Sequence, residues 1–211
     1  MFRRTVVRSL LLLIAVPAFA TTIISRTASD PLWDWSGVQY VSWTQSDAYT
    51  NVSVEATLRS NIGGAPALGT AYLTNLIGSL ATPANNVATP FSISIGNGSF
   101  APISLFSGLT LGPGKYYLVI SPAGGVTDTA LRWAGKNPNT ETLGAGVTSN
   151  QDGMVYNVGD FNAAYPPAST FGLKGRTLLF SVTGDAQIPE PATGAIVLAG
   201  LCGLALLRRR G

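Results

Sequence analysis

The sequence predicts an all-β fold: one β-sandwich or jelly-roll-like domain over residues 21–183, flanked by an N-terminal signal peptide and a C-terminal transmembrane helix. Three observations carry the prediction. Val52–Leu58 and Phe91–Ile95 alternate apolar and polar residues, the period-2 pattern of half-buried strands. Turn-forming clusters recur between such runs, at Gly63-Gly64, Gly96-Asn97-Gly98, Gly112-Pro113-Gly114, Gly124-Gly125 and Asp152-Gly153. No long stretch before residue 188 has helical periodicity.

At the N-terminus, Arg3, Arg4 and Arg8 precede the short apolar run Leu10–Val16, and Ala18-Phe19-Ala20 puts small residues at −3 and −1 of a cleavage site. That order is the one of a secretory signal peptide over residues 1–20, cut after Ala20 by a signal peptidase. Thr5, Val6 and Val7 follow the Arg3-Arg4 pair, which favours the general secretory route over the twin-arginine one. No cysteine follows the site, which argues against a lipoprotein.

Further strands are expected at Gly37–Thr44, Gly69–Thr74, Ile103–Phe106, Lys115–Ser121, Ala130–Trp133, Met154–Tyr156 and Arg176–Val182. Residues 134–153 and 157–175 are rich in Gly, Asn, Thr and Pro and read as long surface loops. Residues 184–187 read as a linker.

The C-terminus is Ile188-Pro189-Glu190-Pro191, an uncharged apolar run Ala192–Leu207, then Arg208-Arg209-Arg210 and Gly211. As a helix the run spans roughly 24 Å, near the short limit for a bilayer core. Arginines at its end fit the cytoplasmic side and leave the domain on the other side of the membrane. Pro189 and Pro191 hold the backbone around Glu190 extended, a shape suited to the cleft of a processing enzyme.

Charge and cysteine usage narrow the class. The formal net charge is +3, but residues 21–187 carry seven Lys and Arg against nine Asp and Glu, a net −2. The basicity belongs to the two ends, and nucleic-acid binding is disfavoured. The single cysteine, Cys202, lies in the apolar tail, so an exported domain of about 165 residues must be held by its hydrophobic core.

The chain has no histidine, which removes the Ser-His-Asp and Cys-His arrangements and most zinc sites. No phosphate-binding or dinucleotide fingerprint is present, and no cofactor is expected. A glycosidase needs two carboxylates on one cleft, and Asp30 and Asp34 beside Trp33 and Trp35 are the closest approach to that pattern. Turn chemistry and core packing explain the same four residues. Asp152 and Asp160, with Asn150 and Asn157, offer oxygens for Ca²⁺, but their spacing matches no calcium loop, and turn chemistry accounts for them too. No metal site is expected. Trp33, Trp35 and Tyr116 are the candidate ligand-stacking aromatics, while Trp43 and Trp133 share parity with Val41 and Leu131 and read as core. The threonines form no regular ladder of the kind a flat ice-binding face needs.

The tail over residues 188–211 resembles the PEP-CTERM sorting signal of exopolysaccharide-producing Gram-negative bacteria, with Ile188 where the family usually has Val. The resemblance implies an exosortase, a membrane-embedded cysteine protease-transpeptidase, as the partner that reads Pro189, Glu190 and Pro191 with Arg208, Arg209 and Arg210 as stop-transfer. Leu109–Val119, with its L-x-L-x-x-G-x-Y-Y-L-V pattern, resembles a hairpin of bacterial extracellular β-sandwiches, including variable-anchor surface domains. There Tyr117 and Val119 are expected to face inward and Tyr116 and Leu118 outward. The expected function is a non-enzymatic, exported surface or matrix protein associated with exopolysaccharide. A carbohydrate-binding module is the alternative, ahead of a carboxylate-based glycoside hydrolase or an ice-binding protein.

Overall fold

The computed structural model describes residues 20–30, 33–78, 80–124, 128–137, 139–150, 152–155, 171–175 and 177–187. Within them two antiparallel sheets pack face to face about one core. Sheet A holds β1 (Ala20–Thr27), β2 (Trp33–Trp35), β4 (Tyr49–Ser60), β7 (Ala101–Leu111), β9 (Leu131–Gly135), β10 (Thr140–Leu143) and β14 (Phe180–Ala186). Sheet B holds β3 (Gln39–Gln45), β5 (Ala67–Thr74), β6 (Phe91–Ile95), β8 (Gly114–Pro122), β11 (Val147–Ser149), β12 (Asp152–Val155) and β13 (Phe171–Gly175). The order is β10-β1-β14-β4-β9-β2 in sheet A and β13-β12-β3-β8-β5-β6 in sheet B. One edge of β4 pairs with β14 along Tyr49–Ala56 and with β9 along Leu58–Ser60, while β7 takes its other edge.

Alternation builds the core. In β4 the side chains of Val52, Val54, Ala56 and Leu58 are buried, and those of Ser53, Glu55, Thr57 and Arg59 stand on the outer face. Burying each such large aliphatic side chain contributes about 1.5–3 kcal/mol. Trp43 bridges the layers: it stacks on Tyr116 of its own sheet at 5.7 Å and meets Phe180 of sheet A at 6.1 Å. Its indole N–H donates to Gln45 Oε1 at 3.0 Å. The Trp133 N–H donates to Leu179 O at 2.8 Å.

Several expectations change. β4 extends beyond Val52–Leu58 at both ends, whereas β6 has the expected bounds. Residues 134–153, expected as a loop, contain β10, β11 and the start of β12, and 171–175 form β13. β10 is a sheet edge with no buried residue, so its sequence carries no apolar alternation. β1 was not expected because Ile23 and Ile24 are adjacent apolar residues; a register shift between Thr22 and Ile24 lets both be buried. Residues 184–187 are not a free linker: β14 pairs Asp185 with Thr50 and Ala186 with Tyr49, and Gln187 N donates to Ala48 O.

The Leu109–Val119 segment is not a hairpin. β7 ends in sheet A at Leu111 and β8 begins in sheet B at Gly114, so the turn is a corner between sheets. Its facing is the reverse of that expected: Tyr116, Leu118 and Ile120 enter the main core, and Tyr117 and Val119 lie on the outer face of sheet B. Both faces of β8 are apolar, so parity alone does not choose between them.

Candidate functional site

Among the described residues, two gatherings of polar groups differ in whether their bonding capacity is already used. The first is interior. Arg26 of β1 is 1 % exposed and reaches from sheet A to sheet B. Its Nε donates to Glu141 Oε1 at 2.8 Å, Nη1 to Asp152 Oδ1 at 2.5 Å, and Nη2 to Ser149 Oγ at 2.6 Å and Asn150 O at 3.0 Å. Asp152 Oδ2 accepts from the amides of Thr177 and Leu178 at 2.7 and 2.8 Å. Ser149 Oγ donates to Glu141 Oε1 at 2.6 Å, and the guanidinium lies 5.2 Å from the Phe180 ring centroid. Burial pushes the Asp152 carboxyl up, and Arg26 and the two amides pull it back down. This is a closed staple between the sheets.

The second place is open. On the outer face of sheet A the register aligns Ser25, Ser181, Glu55 and Ser104 in a row across four strands. Beside this row, where β4 passes from β14 to β9, lies a groove of about 330 Å³. Glu55, Thr57 and Ser181 line it, with Phe100 and Pro102 on one side and Thr27–Ser29 on the other. Ser181 Oγ donates to Glu55 Oε2 at 3.4 Å, a long contact. The Arg59 guanidinium lies 4.7 Å from the Phe100 ring centroid.

The outer face of sheet B is built differently. Val38, Tyr40 and Val119 form a small second core with Tyr72, Ile77 and Tyr117 against it. Tyr40 and Tyr117 meet edge to face at 5.8 Å, and the Lys115 ammonium sits 4.9 Å from the Tyr117 ring centroid. Gly153 stands opposite Tyr40 in the register, and a Cβ there would enter the Tyr40 ring. An open hollow of about 550 Å³ beside Tyr72 is lined by Pro83, Val87 and Pro90 with Asn86 and Thr89.

The residues singled out from sequence fall as follows. Tyr116 is a core residue, 7 % exposed, with its hydroxyl donating to Gly112 O at 2.8 Å; its ring is spent on Trp43 and offers no ligand platform. Trp33 and Trp35 lie in β2, opposite Gly135 and Trp133. Asp30 is exposed, and Asp34 pairs in register with Ala134. Asp152 is no calcium ligand, because both its oxygens are engaged by Arg26 and the two amides. Ala20 opens β1, paired with Asp185. Ala18 and the rest of residues 1–19, Tyr156, Asn157, Asp160, Pro189, Glu190, Pro191, the apolar run with Cys202, and Arg208, Arg209 and Arg210 lie outside the described residues.

Sequence reasoning missed Arg26, Glu55 and Phe100. A lone arginine directly after an Ile-Ile-Ser run was a signal for a buried charge. Glu55 gave none, because a carboxylate at a polar position of an alternating strand is ordinary. Among the described residues no three His, Cys, Asp or Glu side chains cluster to hold a metal ion.

The structure defines an all-β protein of two packed antiparallel sheets, consistent with a β-sandwich, with a polar groove on an outer face among the described residues. Comparison with protein-family models, with curated proteins and with solved structures returns no match.

Proposed function

We propose that this chain is an exported, non-enzymatic surface or matrix protein, cleaved by a signal peptidase after Ala20 and sorted by an exosortase through its C-terminal signal. One observation carries the reading: Pro189-Glu190-Pro191, the apolar run Ala192–Leu207 and Arg208–Arg210 stand in that order at the C-terminus. The same resemblance implies a transient inner-membrane anchor, with the domain in the periplasm, then release to the cell surface or an exopolysaccharide matrix. The absence of histidine, and a single cysteine inside the apolar run, support a non-enzymatic role. Gln187 N donates to Ala48 O at 2.9 Å, so the described fold runs to the residue before Ile188.

Mass spectrometry of the protein from cells with a matching exosortase tests this. The expected product begins at Thr21 and lacks Arg208–Arg210, and Glu190→Ala stays unprocessed. A product that begins at Met1 or keeps the three arginines overturns the proposal. A carbohydrate-binding role is the second reading, favoured by the outer-face groove of sheet A.

A further inference from the structure

We infer that the groove on the outer face of sheet A is a binding site for a neutral, hydroxyl-rich ligand: a sugar ring of an oligosaccharide, seated between Phe100–Pro102 and Thr27–Ser29. The inference stands on geometry and does not depend on the sorting proposal.

Its volume, about 330 Å³, lies at the lower limit of small-molecule sites, which pair an apolar wall with a few placed polar groups. Both parts are present. Among the described residues the hydroxyls of Thr27, Ser29 and Thr57 take part in no hydrogen bond, and Glu55 has only the long contact from Ser181. These groups come from β1 and the turn after it, from β4 and from β14, and line one groove. A carboxylate accepts from neighbouring hydroxyls with charge-assisted strength, and the flanking hydroxyls donate or accept as the ligand requires. Phe100 and Pro102 supply the wall for the C–H face of a sugar ring.

Charge selects a neutral occupant. The lining carries one cation, Arg26, held by Glu141 and Asp152, and one carboxylate, Glu55; Arg59 stands outside it, four residues along the outer face of β4. Arg59 also holds the Phe100 ring from one side. An anionic ligand would meet the Glu55 carboxylate, and the two charges of the lining cancel, so a ligand without net charge fits it. The polar floor is preorganised because β4 is hydrogen-bonded on both edges, so little ordering is left for binding to impose.

The test is a titration of the full-length chain in detergent micelles with neutral gluco-, manno- and galacto-oligosaccharides, read by amide chemical shifts. The expected result is saturable shifts at Thr57, Glu55, Ser181 and Phe100, with a dissociation constant of about 1 mM. Glu55→Gln should weaken binding about tenfold, because a charge-assisted acceptor becomes a neutral one. Phe100→Ala should weaken it at least as much, and Tyr72→Ala on the opposite sheet should leave it unchanged. Should Phe100→Ala fail to fold, Glu55→Gln carries the test, with an unchanged thermal midpoint as its control. No saturable shift at about 10 mM sugar overturns the inference. So do shifts confined to sheet B, or tighter binding of glucosamine oligomers or a lysine-rich peptide, which would make the groove a cation site.

Discussion

The two outer faces of this sandwich use the same kind of strand to opposite ends. On sheet B the outward positions of β3 and β8 carry Tyr40, Tyr117 and Val119, and Val38 just before β3 and Ile77 of the β5–β6 connection pack with them. On sheet A the outward positions of β4 and β14 carry Ser53, Glu55, Thr57, Ser181 and Thr183, and a groove stays open above some of them. The first face spends its side chains on burial. The second keeps hydrogen-bonding capacity that the fold does not use. Stability and recognition are thereby separated onto different surfaces, and each can be changed without the other.

The largest expected effect comes from loosening the sandwich that both faces share. Asp152→Ala leaves Arg26 buried with one of its two carboxylates and frees two amides, and removing one member of a buried pair costs about 3–5 kcal/mol. Urea unfolding measures it; a loss below about 1 kcal/mol, the range of an exposed pair, would show that the network is solvated. Next comes Tyr40→Ala, which empties the second core and should cost about 3 kcal/mol. A near-neutral result would mean that the outer face of sheet B is not sealed, and the contrast between the two faces would fail.

A smaller effect is set by pH. Burial pushes the phenols of Tyr40, Tyr49 and Tyr116 above the ordinary value of 10.0. For Tyr40, the neighbouring Tyr117 and Asp152 raise it further. For Tyr116, the bond to Gly112 O opposes the shift. In the unfolded chain these groups lose their protons at about pH 10, while in the folded chain they keep them. The folded state then binds more protons, so the stability they contribute is complete below about pH 10 and is lost as pH rises beyond it. Unfolding midpoints at pH 9, 10 and 11 should fall in that order. Tyr40→Phe should flatten the fall; if it does not, Tyr40 is a solvent-facing phenol and sheet B presents an open aromatic surface.

Much of the architecture was legible because alternation records burial directly. Val52–Leu58 and Phe91–Ile95 announced β4 and β6, and Trp43 and Trp133 were placed in the core by their parity with Val41 and Leu131. β1 was hidden by its bulge, β10 by its edge position, and the facing of β8 by having apolar residues on both sides. The corner at Gly112–Gly114 reads locally as a hairpin, since a turn between strands looks the same whether they pair or part. The groove was not legible at all. Its residues come from positions 26–29, 55–57, 100, 102 and 179–181, and only the register of four strands brings them together.

The smallest effect bears most directly on the difference between the faces. Glu55→Gln and Thr57→Val alter half-buried outward groups whose hydrogen bonding the fold scarcely uses, so each should change stability by no more than about 0.5 kcal/mol. The comparison with Tyr40→Ala is then a ratio: several kcal/mol on one face against almost nothing on the other, from strands of one sandwich. A loss above about 1 kcal/mol for Glu55→Gln would mean that the carboxylate holds β14 to β4 through Ser181. Glu55 would then be a structural residue, and the polar row of sheet A would serve the fold as the tyrosines of sheet B do. A silent Glu55→Gln leaves the carboxylate and its neighbouring hydroxyls free for a ligand.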